Sequence, residues 1–454
     1  MAEFESPPTV QVQPGGPVKG TVVPPGSKSL TNRALICAAF AKGISTLRGC
    51  LVSEDTEVMI ESLRRCGVDI DIADAGKSLK IRGIGAEKAT AAESREDPTQ
   101  LYIANSGTSV RFLTAALSAL GGHYQLSGVE RMHARPIADL VHAIQPIQSG
   151  RISAESENGC PPVLIHSKGW KGSKLSVAGN VSSQYLSGLM MAAPIALASS
   201  GIASSIEIVV HGELVSKPYV DMTANVISSF GPEVNLVDVA NEDTTLRVVI
   251  SNSYSGSDYR VEPDASAASY FWAAAAISGG EVKVRGLNFD ALQGDVGFCR
   301  VLEQMGCKVS EDSSGITVSG RAATGVDVDM NPISDTVQTL AVVALFADGP
   351  TRVRGVAHNR FKETDRIGDL ATELRRMGAS VVEHEDGLTI EPPHDGLTPC
   401  RLKTYHDHRM AMSLSLAGLA SEGITIEDPA CTAKTYPRFF FDLETLLGRT
   451  HRWG

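Results

Sequence analysis

The chain has 454 residues, more than one hydrophobic core ordinarily supports, so two domains are expected. Hydrophobic residues make up 43% and charged residues 20%, and the formal charge is −11 without any long basic run. That composition excludes disorder and argues against nucleic acid or an anionic membrane as the main partner. The eight cysteines are scattered with no C-x-x-C pair, which favours reduced, buried thiols over a disulfide framework or a zinc site. The N-terminal MAEFESPPTV has neither an apolar signal core nor an Arg-rich transit composition. The most apolar stretch, 185–199, is too short to span a bilayer, so a cytoplasmic location is expected.

In chain order, a strand at 21–23 is followed by PPGSKSLTNR, where a Pro-Gly break brings Ser27, Lys28, Ser29, Thr31 and Arg33 to the start of an apolar helix. Such a helix start favours anions. Its N–H groups point outward, the helix dipole is positive there, and Lys28 and Arg33 add fixed charge. Ser-capped surface helices share these features, so this stretch alone leaves both readings open.

The same grammar returns at 105–128, 181–212, 264–286, 334–355 and 406–428, with starts spaced roughly 70 to 80 residues apart. Each copy runs from a polar entrance through an apolar helix and a Gly break into an alternating strand. A second, more polar helix follows at 54–66, 135–147, 217–230, 294–305, 362–377 and 436–447. Four of these exit through Gly into a strand, as in RRCGVDI, SSFGPEV, EQMGCKV and RRMGASV. AIQPIQSGRIS departs from that pattern, and Pro146 shortens or kinks its helix.

Strands are expected before the entrances, at 100–103, 174–177, 259–261, 326–330 and 401–404, and at the closing positions 79–82, 163–166, 245–250, 316–319 and 388–390. The unit is βαβαββ, and six units make two bundles of three. The first helix of each unit is apolar nearly all round (AAFA, YFWAAAAI, TLAVVALFA), so it is expected inside its bundle with its polar start at one end. If the bundles face each other across those ends, six helix starts converge on one cleft.

SNSYSGSDYRVEPD is the longest Ser/Gly-rich connector between units and marks the division. The expected domains are 1–26 with 260–454, and 27–259, with hinges near 24–27 and 257–262. The strand before Pro24 is expected to pair with the second bundle.

Charged and polar side chains cluster at the entrances instead of spreading along exposed faces. Lys28 and Arg33 stand at the first, Asn105 and Arg111 at the second, Ser182, Ser183 and Gln184 at the third. Asp335 stands at the fifth, and His408 and Arg409 at the sixth. Second-helix entrances add Arg131, Arg135, Ser216, Lys217, Tyr219, Lys362, Glu363, Asp365, Arg366 and Lys434.

Asn105, Gly107 and Thr108 fit either a capped turn or a phosphate-binding loop. Asp335 after Ser334 reads as a cap or a site carboxylate, and Asp365 as part of an exposed run of i, i+4 pairs. His406 and His408 have no third ligand nearby in sequence, so no metal is expected. Several cations with a few carboxylates and one His, and no G-x-x-x-x-G-K-[ST], describe general acid–base chemistry on small, multiply anionic substrates.

PGSKSLTNRAL, NSGTSVR, RPIADLV, VSSQYLSGLMMAAP, SKPYVDM, EPDASAASYF, LQGD, KETDRI, YHDHRMAMS and CTAKTYP, in this order, span nearly the whole chain. The sequence thereby resembles the 5-enolpyruvylshikimate-3-phosphate synthase family. The resemblance implies a two-domain inside-out α/β barrel, each domain built of three βαβαββ units with buried parallel helices. It implies transfer of the enolpyruvyl group of phosphoenolpyruvate to the 5-hydroxyl of shikimate 3-phosphate, by addition and elimination of phosphate, with no metal or organic cofactor. Its partners would be small molecules, and the chain a monomer.

By matching motifs, Lys28 would bridge both substrates, and Arg135, Arg366, Arg409 and Lys434 would hold phosphoenolpyruvate together with Asn105, Gly107 and Gln184. Ser29, Arg33, Ser182, Ser183, Gln184, Ser216, Tyr219, Asp335 and Lys362 would contact shikimate 3-phosphate. Asp335 and Glu363 would be the acid–base carboxylates, with Lys434, Lys28 and His408 as partners in proton transfer. Two positions depart from the family. His358 stands where bacterial members usually carry Asn, and it would replace that phosphate contact. Phe112 follows Arg111 where many members have Pro.

The related enolpyruvyl transferase acting on UDP-N-acetylglucosamine is the nearest alternative. Its usual reactive Cys is absent from GVERMHARP here. A binding or scaffold protein descended from such an enzyme is a second alternative, set against the full complement of charged groups that would be costly to bury without a ligand.

Overall fold

A computed structural model describes residues 7–85, 97–179, 182–201, 204–239 and 244–454. Val181, where the third repeat is expected to begin, lies outside them, as do residues 1–6 of the expected N-terminal segment. The chain divides into two compact units, Gly26–Val261 and Met1–Pro25 with Glu262–Gly454.

In chain order, β1 (Thr9–Gln11) and β2 (Lys19–Val22) precede the first repeat, which holds α1 (Lys28–Ala39), β3 (Lys42–Arg48), α2 (Glu54–Arg65), β4 (Asp69–Ala73) and β5 (Ser78–Ile84). The second holds β6 (Thr99–Tyr102), α3 (Gly107–Leu120), β7 (Gly122–Ser127), α4 (Ala138–Ile144), β8 (Gln148–Ala154) and β9 (Val163–Trp170). The third holds β10 (Lys174–Ala178), α5 (Ser183–Ser200), β11 (Ser205–His211), α6 (Lys217–Ser228), β12 (Glu233–Asp238) and β13 (Thr244–Ser251).

The fourth repeat holds β14 (Asp258–Arg260), α7 (Ala265–Ser278), β15 (Glu281–Arg285), α8 (Phe298–Gln304), β16 (Lys308–Asp312) and β17 (Gly315–Ser319). The fifth holds β18 (Asp327–Asp329), α9 (Val337–Ala344), β19 (Thr351–Arg354), α10 (Gly368–Arg376), β20 (Ser380–His384) and β21 (Gly387–Glu391). The sixth holds β22 (Cys400–Leu402), α11 (His408–Ser415), β23 (Ile424–Glu427), α12 (Phe439–Leu447) and β24 (Arg452–Trp453).

Each repeat builds a four-stranded sheet of one pattern, seen plainly in β6-β7-β9-β8 and β18-β19-β21-β20. The strand before the buried helix pairs in parallel with the strand after it, as Thr99 with Tyr124, which is what a crossover helix permits. The remaining pairs are antiparallel. In β7 the alternation buries Gly122, Tyr124 and Leu126 on one face, the signature of a sheet with one wet side.

Two repeats exchange their first strands. β14 pairs in parallel with β3, and β2 pairs in parallel with β15. The strand before Pro24 therefore belongs to the sheet of the fourth repeat. In the sixth sheet, β22-β23-β1-β24, β1 occupies the place that the last strand fills elsewhere.

The sheets enclose helices that are apolar on every side. All residues of α3 and α9, and all of α7 but its last, are buried, so no face of these helices is left for water. Small residues let them approach. A Cβ at Gly188 of α5 would stand 3.2 Å from the Arg111 carbonyl oxygen of α3. Among the described residues no helix is long and apolar enough to cross a membrane.

Four second helices start later than their sequence suggests, among them α8, which begins at Phe298 after a 3₁₀ turn over Gly294–Gly297. Residues 362–367 are not α-helical; α10 begins at Gly368, after Asp365 Oδ1 has accepted bonds from the Ile367 and Gly368 amides, each at 3.0 Å. That side chain supplies the partner a preceding turn would have supplied. α12 begins at Phe439, because Pro437 bars the residue before it from helical backbone. α4 is confined to Ala138–Ile144, between Pro136 and Pro146.

Asp365 also pairs with Arg360 at 2.8 Å, so Asp365→Ala removes a cap and an ion pair together. The expected cost is about 1 kcal/mol, read as a lower urea midpoint with an unchanged slope. An unchanged midpoint would show that the α10 start does not depend on this side chain.

Candidate active site

In the unit Gly26–Val261 the sequence candidates gather at the starts of α1, α3, α5 and α6. Ser27 caps α1, its Oγ accepting from the Leu30 amide at 3.4 Å. Lys28 Nζ lies 3.3 Å from Asp55 Oδ2 in the first turn of α2, and both side chains are largely buried. At the start of α3, Arg111 Nη1 donates to the Gly107 carbonyl at 3.2 Å and to Gln184 Oε1 at 2.8 Å. Arg135 Nη1 donates to the Asn105 carbonyl at 3.0 Å and to its side-chain oxygen at 3.3 Å. A side chain at Gly107 would collide with both guanidinium groups, so the glycine is what lets two cations converge on one helix start.

Ser182 Oγ accepts from the Gln184 amide at 3.3 Å and opens α5, with Ser183 buried beside it. Ser216, buried and left-handed at φ 55°, precedes α6, whose first turn carries Tyr219. Arg33 sits deeper. Its Nε donates to Thr223 Oγ1 at 2.7 Å, Nη1 to the Ser29 carbonyl at 3.0 Å and Nη2 to Ser187 Oγ at 3.2 Å. Among the described residues no carboxylate pairs with it, and burial lowers its pKa to about 10.

The unit containing Glu262–Gly454 holds a connected string of ion pairs. Asp335 Oδ1 lies 2.6 Å from Lys362 Nζ and 3.5 Å from Arg366 Nη1, and Oδ2 lies 2.6 Å from Arg409 Nη2. Glu363 joins Arg366 Nη2 at 2.8 Å to Lys434 Nζ at 3.2 Å. Asp407 grips Arg366 through Nε at 2.7 Å and Nη2 at 3.1 Å, and its Oδ1 accepts from the Arg409 amide at 2.9 Å. Arg366 thus touches three carboxylates.

The electrostatics follow from burial set against charge. Burial would raise the Asp335 carboxyl, but Arg409, Lys362 and Arg366 outweigh it and hold that group well below the usual carboxylate range. Burial likewise opposes the charge on Arg366, yet Asp407 and Glu363 raise its pKa above that of an exposed guanidinium. For Lys362 burial wins and lowers the pKa. Asp295, bonded to Ser266 and near Asp335, is pushed up to about 7, first by burial and then by the Asp335 charge.

His408 is fully buried, with Nδ1 3.6 Å from Asp407 Oδ1. Half-buried His358 lies beside Lys362, and its neighbour Asn359 donates to the Ser334 carbonyl at 3.0 Å. Asp55, Asp407 and Asp295 are the members of these clusters that the sequence reading passes over. Asp407 was concealed as the cap of α11, a role it also fills. Asp295 stands in the LQGD motif, which carried no assigned role. The signal available for Asp55 and Asp407 was an acidic residue one position from a helix start.

Among the described residues no group of three or more His, Cys, Asp and Glu side chains could hold a metal ion. What the arrangement offers is two collections of buried cations, one closely interleaved with carboxylates, suited to phosphate or carboxylate groups and to moving protons.

The sequence model of the family EPSP synthase (3-phosphoshikimate 1-carboxyvinyltransferase) matches residues 12–443. The chain is 42% identical over 434 residues to the 3-phosphoshikimate 1-carboxyvinyltransferase of Marinomonas sp., covering 95% of this chain and 98% of that protein. It is 41% identical over 452 residues to the chloroplastic 3-phosphoshikimate 1-carboxyvinyltransferase of Brassica napus, covering 96% and 85%. An EPSP synthase structure from Acinetobacter baumannii superposes with a TM-score of 0.76 at 25% identity, over 98% of this chain and 99% of that one.

Burial, and next the Lys362 charge, lower the His358 pKa to about 4. Since the folded value lies below the unfolded one of about 6.5, the neutral ring's stabilising share is complete above that pH and is lost as pH falls toward 4. A ring-proton NMR titration should give a midpoint near pH 4. A midpoint near that of free histidine would contradict the burial of this ring.

Proposed function

Since this chain belongs to the EPSP synthase family and transfers the enolpyruvyl group of phosphoenolpyruvate to the 5-hydroxyl of shikimate 3-phosphate, we propose a division of labour among the residues just described. The reaction adds the 5-hydroxyl to C2 of the enol while C3 gains a proton. The tetrahedral intermediate then loses a proton from C3 and expels phosphate, which restores the carbon–carbon double bond. It needs a proton donor to carbon, an acceptor for the hydroxyl proton, and cations to hold phosphate as charge shifts.

Arg135, Arg366, Arg409 and Lys434, with Asn105, Gln184 and the Gly107 backbone, hold phosphoenolpyruvate. Ser29, Arg33, Ser182, Ser183, Gln184, Ser216, Tyr219, Lys362 and His358 receive shikimate 3-phosphate, His358 as a neutral hydrogen-bonding ring. Lys28 serves both substrates. Asp335 accepts the hydroxyl proton and Glu363 serves carbon protonation, with Lys434, Lys28 and His408 supporting proton transfer.

One observation carries this reading. Asp335 and Glu363 are joined through Arg366, so both candidate proton carriers share one buried cation, and each holds a further cation suited to a phosphate oxygen. The proposal extends to a monomer working in the cytoplasm.

Phosphate release with both substrates together, and none with either alone, is the expected result for the native chain. Lys28→Met and Asp335→Ala should each lower kcat by about 10² to 10⁴-fold, the usual contribution of a positioned proton-transfer group. Near-native turnover in either variant would remove that residue from the assignment.

A further inference from the structure

A guanidinium buried away from carboxylates needs some other source of negative potential, and the face of an aromatic ring supplies one. The Arg33 guanidinium carbon stands 5.1 Å from the centroid of the Phe112 ring. Each side chain is 1% exposed. The rest of the Arg33 environment is neutral: Thr223 Oγ1, Ser187 Oγ and the Ser29 carbonyl accept its hydrogens. The hydroxyls are themselves tied down, since Thr223 Oγ1 donates to Tyr219 O at 2.7 Å and lies 2.8 Å from Ser187 Oγ.

Phe112 occupies a particular place. It follows Arg111 on α3, and Arg111 in turn lies over Tyr185 with its guanidinium carbon 5.5 Å from that ring. The start of α3 therefore binds one arginine through Phe112 and presents another through its own backbone.

We propose that Phe112 is a positioning residue for shikimate 3-phosphate, its ring face holding the Arg33 guanidinium oriented in the empty site until the substrate's anionic groups provide the counter-charge. This rests on the assignment of Arg33 to that substrate. It concerns a position at which this chain carries an aromatic ring, so the device belongs to this chain's own residues.

The experiment must separate the ring's electrostatics from its volume. Replacing Phe112 by mono-, di- and trifluorinated phenylalanines drains the ring face of negative potential with little change of shape. The KM for shikimate 3-phosphate should rise with each fluorine, reaching about tenfold for the trifluoro ring. The KM for phosphoenolpyruvate and the melting temperature should stay as they are. Arg33→Met is the control. If it raises the KM for shikimate 3-phosphate while the fluorinated series is flat, the Arg33 assignment stands and the role of Phe112 is overturned. If Arg33→Met leaves that KM unchanged, the assignment itself fails, and the proposal with it.

Discussion

Buried charge must be answered by opposite charge or by oriented polar and aromatic groups, and the candidate site is arranged around that requirement. Removing an ion from water costs on the order of several kcal/mol even after the protein relaxes, and an ion pair only roughly repays it. The string running from Lys434 through Glu363, Arg366 and Asp335 to Lys362 and Arg409 meets the requirement within one unit. Its value is therefore not stability. In the proposed function it keeps cations in place before substrates arrive, so that little reorganisation is left for the reaction. Arg33 meets the same requirement in another way, with hydroxyls, a carbonyl and an aromatic face in place of a carboxylate.

The fold makes this affordable. Helices buried on every side can present polar groups only at their ends, where backbone N–H groups lack partners and the dipole is positive. Wrapping such helices in sheets concentrates most of the candidate side chains at helix starts and at the turns before the outer helices. The irregular segment 362–367 is an instance. Asp365 satisfies backbone amides there, and Lys362, Glu363 and Arg366 lie in the turn before α10 begins.

Much of this was legible in the sequence. The sixfold recurrence of an apolar helix between a polar entrance and a Gly break gave the sheet pattern, because a helix apolar all round has no stable place outside a core. What stayed hidden did so for local reasons. β1 has only three residues and lies among prolines, too short for alternation to register. The charges of 362–366 match i, i+4 helix spacing, which conceals that a side chain and not the backbone satisfies the turn. Asp55 and Asp407 look like ordinary first-turn and cap residues, and it is the packing of neighbouring helix starts that sets them against Lys28 and Arg366. Family resemblance supplied roles to residues; it did not supply the Phe112 contact, which arises where this chain departs from the common pattern.

The central proposal is that Lys28 and Glu363 serve a single reaction. A double-mutant cycle on kcat/KM with Lys28→Met and Glu363→Gln tests it directly, since groups acting together in one transition state lose activity non-additively. The account predicts that the double variant is little worse than the poorer single variant. Losses that simply multiply would mean that Lys28 and Glu363 act independently, and would contradict it.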